Sequence, residues 1–108
     1  MADRSKDKLT RAVYALTIVD GRKVVASTAT AEALSATDLV VNFIIITAET
    51  DNTGVITVGA SSVVGAVGTR RGIPLNAGDS ISLGGVNLKD VYLDTTVNGD
   101  GCTFVYLA

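Results

Sequence analysis

Histidine is absent from this chain. That removes the commonest general base and metal ligand together, and with it any Ser-His-Asp or Cys-His arrangement. Tryptophan is absent too, and the five aromatics (Tyr14, Phe43, Tyr92, Phe104, Tyr106) are scattered. No basic residues interleave with them, so they make neither a base-stacking strip nor the aromatic floor of a sugar site. The one cysteine, Cys102, excludes an internal disulfide. Its apolar surroundings read as a small buried core residue, which suits folding in a reducing compartment. Charge is scarce: 19% of residues carry one, the net charge is −2 and the pI is about 4.8. A nucleic-acid platform needs a basic face to neutralise phosphates, and none is available.

Long hydrophobic runs are missing as well. The longest, Val40 to Ala48, is about half a membrane span and contains Asn42. The charged Met1–Lys8 followed by apolar Ala12–Val19 imitates a secretory signal. It is too short, holds Tyr14 and Thr17, and ends in Asp20-Gly21-Arg22 without a small-residue cleavage site. A soluble chain is expected.

What remains is apolar and turn-rich. Hydrophobic residues make up 47% of the 108 and mean hydropathy is +0.40. One domain of this length buries roughly two-thirds of its unfolded surface. So much apolar area in so small a body predicts that part of it is covered by another chain. Residues 1–10 are polar and mixed in charge and predict a flexible arm; residues 11–108 predict a single all-β domain.

The pattern centres on Val40 to Gly59, which reads as an apolar run, the turn Asp51-Asn52-Thr53-Gly54 and a second apolar run, a β-hairpin by its composition. Arg11–Val19 predicts a strand, Asp20-Gly21 a hairpin turn and Lys23–Ser27 the return strand. A short strand is expected at Ala31–Leu34. In Val40–Ala48, alternation places Val41, Phe43 and Ile45 on one face and Val40, Ile44 and Ile46 on the other. A strand apolar on both faces points one of them at a partner. Ala60–Arg71 reads as a mobile loop, Pro74 marks a sheet edge, Ser80–Leu83 a strand ended by Gly84-Gly85, Lys89–Asp94 another, and Cys102–Leu107 a closing strand after the turn Asn98-Gly99-Asp100-Gly101. Turn signals about every ten residues predict a β-sandwich or jelly roll of about eight strands.

No catalytic, cofactor-binding or metal residues are assigned, and no enzyme activity is expected. The carboxylates Glu49, Asp51, Asp79, Asp90, Asp94 and Asp100 all fall at turns or strand ends, where they read as turn residues. Gly65-Ala66-Val67-Gly68 before Thr69-Arg70 lacks the lysine, spacing and helix of a phosphate loop. Arg70-Arg71, the only adjacent basic pair, reads as solvated. Asn98, Asp100 and Asp94, or Asp51 and Asn52, offer hard oxygens for calcium, but their spacing matches no standard calcium loop.

From Asp51 onward, the order of pieces resembles a known family. Asp51-Asn52-Thr53-Gly54 with Ile56–Gly59, then Gly72-Ile73-Pro74-Leu75, Gly78-Asp79-Ser80, Asn87–Asp94 and Asn98–Gly101 before Cys102–Leu107 are similar to the small jelly-roll structural proteins of tailed bacteriophages. Residues 1–38 carry none of the likeness. It implies a non-enzymatic virion protein, most like a capsid decoration or cement protein. Such a protein would be made in the host bacterial cytoplasm and sit on the capsid surface as a homo-oligomer (a trimer) bound to the major capsid protein or another virion protein, with no cofactor. A tail, neck or fibre-attachment module shares these expectations. A host- or glycan-binding module is a third reading, weakened by the few aromatics. Neither nucleic acid nor membrane is expected as a partner.

Overall fold

The computed structural model describes residues 16–108, so the N-terminal arm expected at residues 1–10, and the start of the strand expected from Arg11, lie outside the described residues. The rest is an all-β sandwich of two four-stranded antiparallel sheets. The strands are β1 (Ile18–Val24), β2 (Glu32–Ala33), β3 (Val40–Ala48), β4 (Ile56–Gly59), β5 (Ile73–Leu75), β6 (Ser80–Asn87), β7 (Tyr92–Thr95) and β8 (Gly101–Leu107), with a 3-10 turn at Leu88–Asp90. Sheet A runs β1-β8-β3-β6 and sheet B runs β2-β7-β4-β5.

This order is that of a jelly roll, and its logic is a single long ribbon. Val58 pairs with Ile73, Ile46 with Ile81, Glu32 with Leu93 and Ile18 with Leu107, each pair enclosing the one before. The chain thus folds back once, between β4 and β5, and the doubled ribbon rolls so that its paired segments alternate between sheets. The hairpin expected at Val40–Gly59 is therefore corrected: β3 and β4 lie in opposite sheets, and Asp51–Gly54 carries the chain across the sandwich.

The core is where the inner faces meet. Ile44, Ile46 and Ala48 from β3, Cys102 from β8, Ile56 and Val58 from β4, Leu93 from β7 and Leu75 from β5 are all buried. Val25, Leu34, Leu88 and Val91 close the ends. Phe104 and Tyr106 stack at 6.3 Å on the inner face of β8. The short strand expected at Ala31–Leu34 is present as β2, and Pro74 lies on the edge strand β5, where its missing N–H costs no central ladder bond.

Three further expectations are corrected. β1 runs straight through Asp20-Gly21. Gly21 is needed there because Phe104, its partner on β8, lies over it, so the Asp-Gly pair serves packing and not a turn. β6 likewise runs through Gly84-Gly85, where the ladder to β3 skips Asn42 and Gly85. Gly85 has φ 63°. Both strands change their inward phase at this irregularity. Val41 is consequently buried in the core while Phe43 and Ile45 face out, so the expected common face of Val41, Phe43 and Ile45 is split.

Candidate functional site

Two sets of residues are candidates for function: the polar turn groups and the outer face of sheet A. The turn groups are occupied by the fold. Asp100 is buried, and its two oxygens accept from the backbone N–H of Thr53 (3.2 Å) and Gly54 (2.8 Å). Asn52 donates to the Gly101 carbonyl at 2.8 Å and accepts from the Gly101 N–H at 2.9 Å, acting as one more rung beside β8. Asn98 accepts from Thr28 N–H, and Asp79 from Asn76 N–H. Asn87 accepts from the N–H groups of Leu39 and Lys89 and donates to Asp38. Asp51 and Asp90 are exposed. Among the described residues no three of His, Cys, Asp and Glu come together as metal ligands. The oxygens weighed for calcium are engaged separately: Asp100, Asn98 and Asn52 as above, and Asp94 by Gly65 and Thr95.

Asp94 explains the loop between β4 and β5. The loop folds onto the outer face of sheet B, where Asp94 and its cross-strand neighbour Thr57 are both buried. Gly65 N–H donates to Asp94 Oδ2 at 2.7 Å, and a Cβ at Gly65 would stand 3.3 Å from the Asp94 carboxylate and backbone. Arg70 Nε donates to the Gly65 carbonyl at 3.1 Å, and Val64 pairs with Arg71 in an isolated bridge. The reading of Ala60–Arg71 as a pliable loop with a solvated Arg70 is thus corrected: Gly65 is there for close approach, and Arg70 fastens the turn. Thr57 Oγ1 is buried with no hydrogen-bond partner.

Cys102 is fully buried between β1 and β3. Burial pushes its thiol up to about 12, and the Glu49 carboxylate adds to the rise. A thiol in that state is no nucleophile. At the end of sheet A, Arg22 Nε and Nη2 grip both oxygens of Glu49, the second contact at 3.0 Å. The Arg22 hydrogen bonds hold the Glu49 carboxyl below its usual range, and Arg22 is raised in turn. An open recess of about 490 Å³ lies beside this pair, with Thr47, Thr50, Asp51 and Thr103 on its walls.

The outer face of sheet A is different in kind. Register aligns Ile18 with Leu107 and Leu107 with Phe43; in the next row Val105 stands opposite Ile45. Ile18 is 71% exposed, Val105 42%, Ile45 39% and Phe43 36%. These side chains from three neighbouring strands make one apolar patch. Its rim is polar: Asp20, Ser82, the Thr47–Ser80 hydrogen bond at 2.7 Å, Thr103 and the Arg22–Glu49 pair. An apolar centre within a polar rim is the anatomy of a protein interface. The sequence signal for it was the doubly apolar β3; the contributions of β1 and β8 required the register. No protein-family model, curated protein or solved structure matches the chain.

Proposed function

We propose that the chain is a non-enzymatic structural module that self-associates through the outer face of sheet A, and that it serves as a capsid decoration protein of a tailed phage. The observation that carries self-association is the contiguous patch of exposed Ile18, Phe43, Ile45 and Val105 around half-buried Leu107. Fully burying a side chain of this kind from an exposed state is worth about 1.5–3 kcal/mol; here only the exposed remainder of each contributes, and it is the sum over both copies that works against the cost of bringing two bodies into one. The virion reading is supported by the resemblance from Asp51 onward together with the jelly-roll strand order, which that resemblance implied.

The role fits what the chain offers: a body whose polar turn groups are committed to holding it together, and a sticky face with a polar surround. On this reading the assembly is a trimer, and several modest contacts to the shell add up through multivalency. Mass spectrometry of heads and tails separated from phage particles tests the placement. Recovery with heads is expected; recovery only with tails would overturn the decoration reading in favour of a tail or neck module. A solution mass above that of one chain tests self-association independently of any virion.

A further inference from the structure

The two sheets end on four edge strands, and three of them carry a device that discourages another strand from adding. β1 bears Asp20, Arg22 and Lys23 along its length. β2 is only two residues long. β5 has three residues with Pro74 in the middle. β6 has none of these: Ser80–Asn87 is eight residues without a charge or a proline. Among the described residues, no backbone group of Ser80–Asn87 bonds outside the ladder to β3. The irregularity at Gly85 interrupts the ladder, leaving Ser80–Gly84 as a regular, open segment.

We propose that Ser80–Gly84 is a self-pairing edge, where β6 of a second copy adds antiparallel about a two-fold axis through Ser82 and joins two sheets into one of eight strands. The occupant follows from the pattern. Ile81 and Leu83 lean inward and are half-buried, while Ser80, Ser82 and Gly84 are exposed on the other side. Antiparallel pairing about Ser82 sets Ile81 against Leu83 of the second copy, and Ser80 against its Gly84. Apolar meets apolar, small meets small, and no charge enters the seam. A groove of about 220 Å³ opens between this edge and sheet B, lined mainly by the apolar Val58, Ile73, Leu83, Val86 and Val91, with the exposed Asp90 on its wall. The inward side chains of an added strand lie beside it, as in other cases of strand addition, where the ladder supplies affinity and apolar pockets supply selectivity. The seam forms along the backbone edge of β6 and meets the outer-face patch only at the rim residues Ser80 and Ser82, and the inference stands or falls without the virion reading.

Cysteine cross-linking of the full chain tests it. Cys102 is buried, so Ser82→Cys adds an accessible thiol, and residues directly opposed across an antiparallel pair lie within reach of a disulfide. With oxidised glutathione as the electron acceptor, Ser82→Cys is expected to form covalent dimers about tenfold or more faster than Ser61→Cys, an exposed control on the β4–β5 loop. Adding Ile81→Lys, an inward-pointing charge at the edge, should return the rate to that of the control. Equal rates for the two cysteines would overturn the proposal. Amide exchange of the unmodified protein gives a check that needs no variant: those Ser80–Gly84 amides that point away from β3, alternate residues along the strand, should exchange faster on dilution, while the ones bonded to β3 stay protected. Protection of the outward-pointing amides that persists in the monomer would mean that the edge is covered within one chain, and would equally overturn it.

Discussion

Gly21 on β1 and Phe104 on β8 are cross-strand partners, and the ring of Phe104 lies where the side chain of residue 21 would otherwise stand. A Cβ on Gly21 would come within 2.7 Å of Phe104 Cε2 and nearer still to Cζ. The close approach lets the aromatic cover the inner face of an edge strand while stacking on Tyr106.

Gly21→Ala is therefore expected to destabilise the fold by about 1–3 kcal/mol, the usual cost of overpacking, in spite of the entropy alanine removes from the unfolded chain. Combining it with Phe104→Leu should cost less than the two changes summed. Urea denaturation of the four proteins in the cycle measures this.

Thr57 and Asp94 make opposite predictions although they are neighbours on the outer face of sheet B. Thr57→Val replaces a buried hydroxyl that has no partner by a methyl of similar shape, and should be neutral or stabilising by about 1 kcal/mol. Asp94→Ala strips the acceptor from the Gly65 N–H and should cost about 1.5–3 kcal/mol. Thermal unfolding distinguishes them by the sign of the shift in Tm.

The buried thiol sets a third expectation. With Cys102 pushed up to about 12, its thiolate fraction at pH 8 is about a thousandfold below that of a free cysteine. Modification by a thiol reagent should be at least that much slower in the folded protein, and should reach the free rate in denaturant.

Acid should weaken the fold in a defined direction. Glu49 is held below its ordinary 4.5 by Arg22. Burial works to raise Glu32, but Lys23 and the N–H groups of Ser27 and Ala26 outweigh it and hold that carboxyl below 4.5 as well. In both cases the unfolded chain binds protons first, so the stabilisation is complete above pH 4.5 and is lost as pH falls through the lower folded values. Tm should fall on acidification through that window, and Arg22→Met should flatten the part due to Glu49.

The sequence made the class of fold legible and left its wiring hidden. Turn residues and β-branched runs marked most strands, including the small β2, because local chemistry decides where a chain can reverse. They did not say which reversals return a strand to its own sheet. Asp51–Gly54 has the composition of a hairpin turn, yet its groups are consumed by Gly101 and Asp100, which hold an arch between sheets. The roles of Gly21 and Gly65 are hidden for the same reason. Each glycine is required by a residue far along the chain, Phe104 or Asp94, and local spacing carries no trace of that partner. The outer patch was half legible: the doubly apolar β3 predicted it, and register alone added Ile18, Val105 and Leu107.

Light scattering across a range of concentrations tests the central claim most directly. The unmodified chain is expected at a multiple of its 11.1 kDa, three times that value where the trimer forms through this face alone and a higher multiple where the β6 edges pair as well, and Ile45→Lys/Val105→Lys, which charges the middle of the patch, should lower the mass while leaving the β-sheet circular dichroism intact. A mass of 11.1 kDa at every concentration, or an oligomer that the two lysines leave unchanged, would contradict the assignment of that face as an interface.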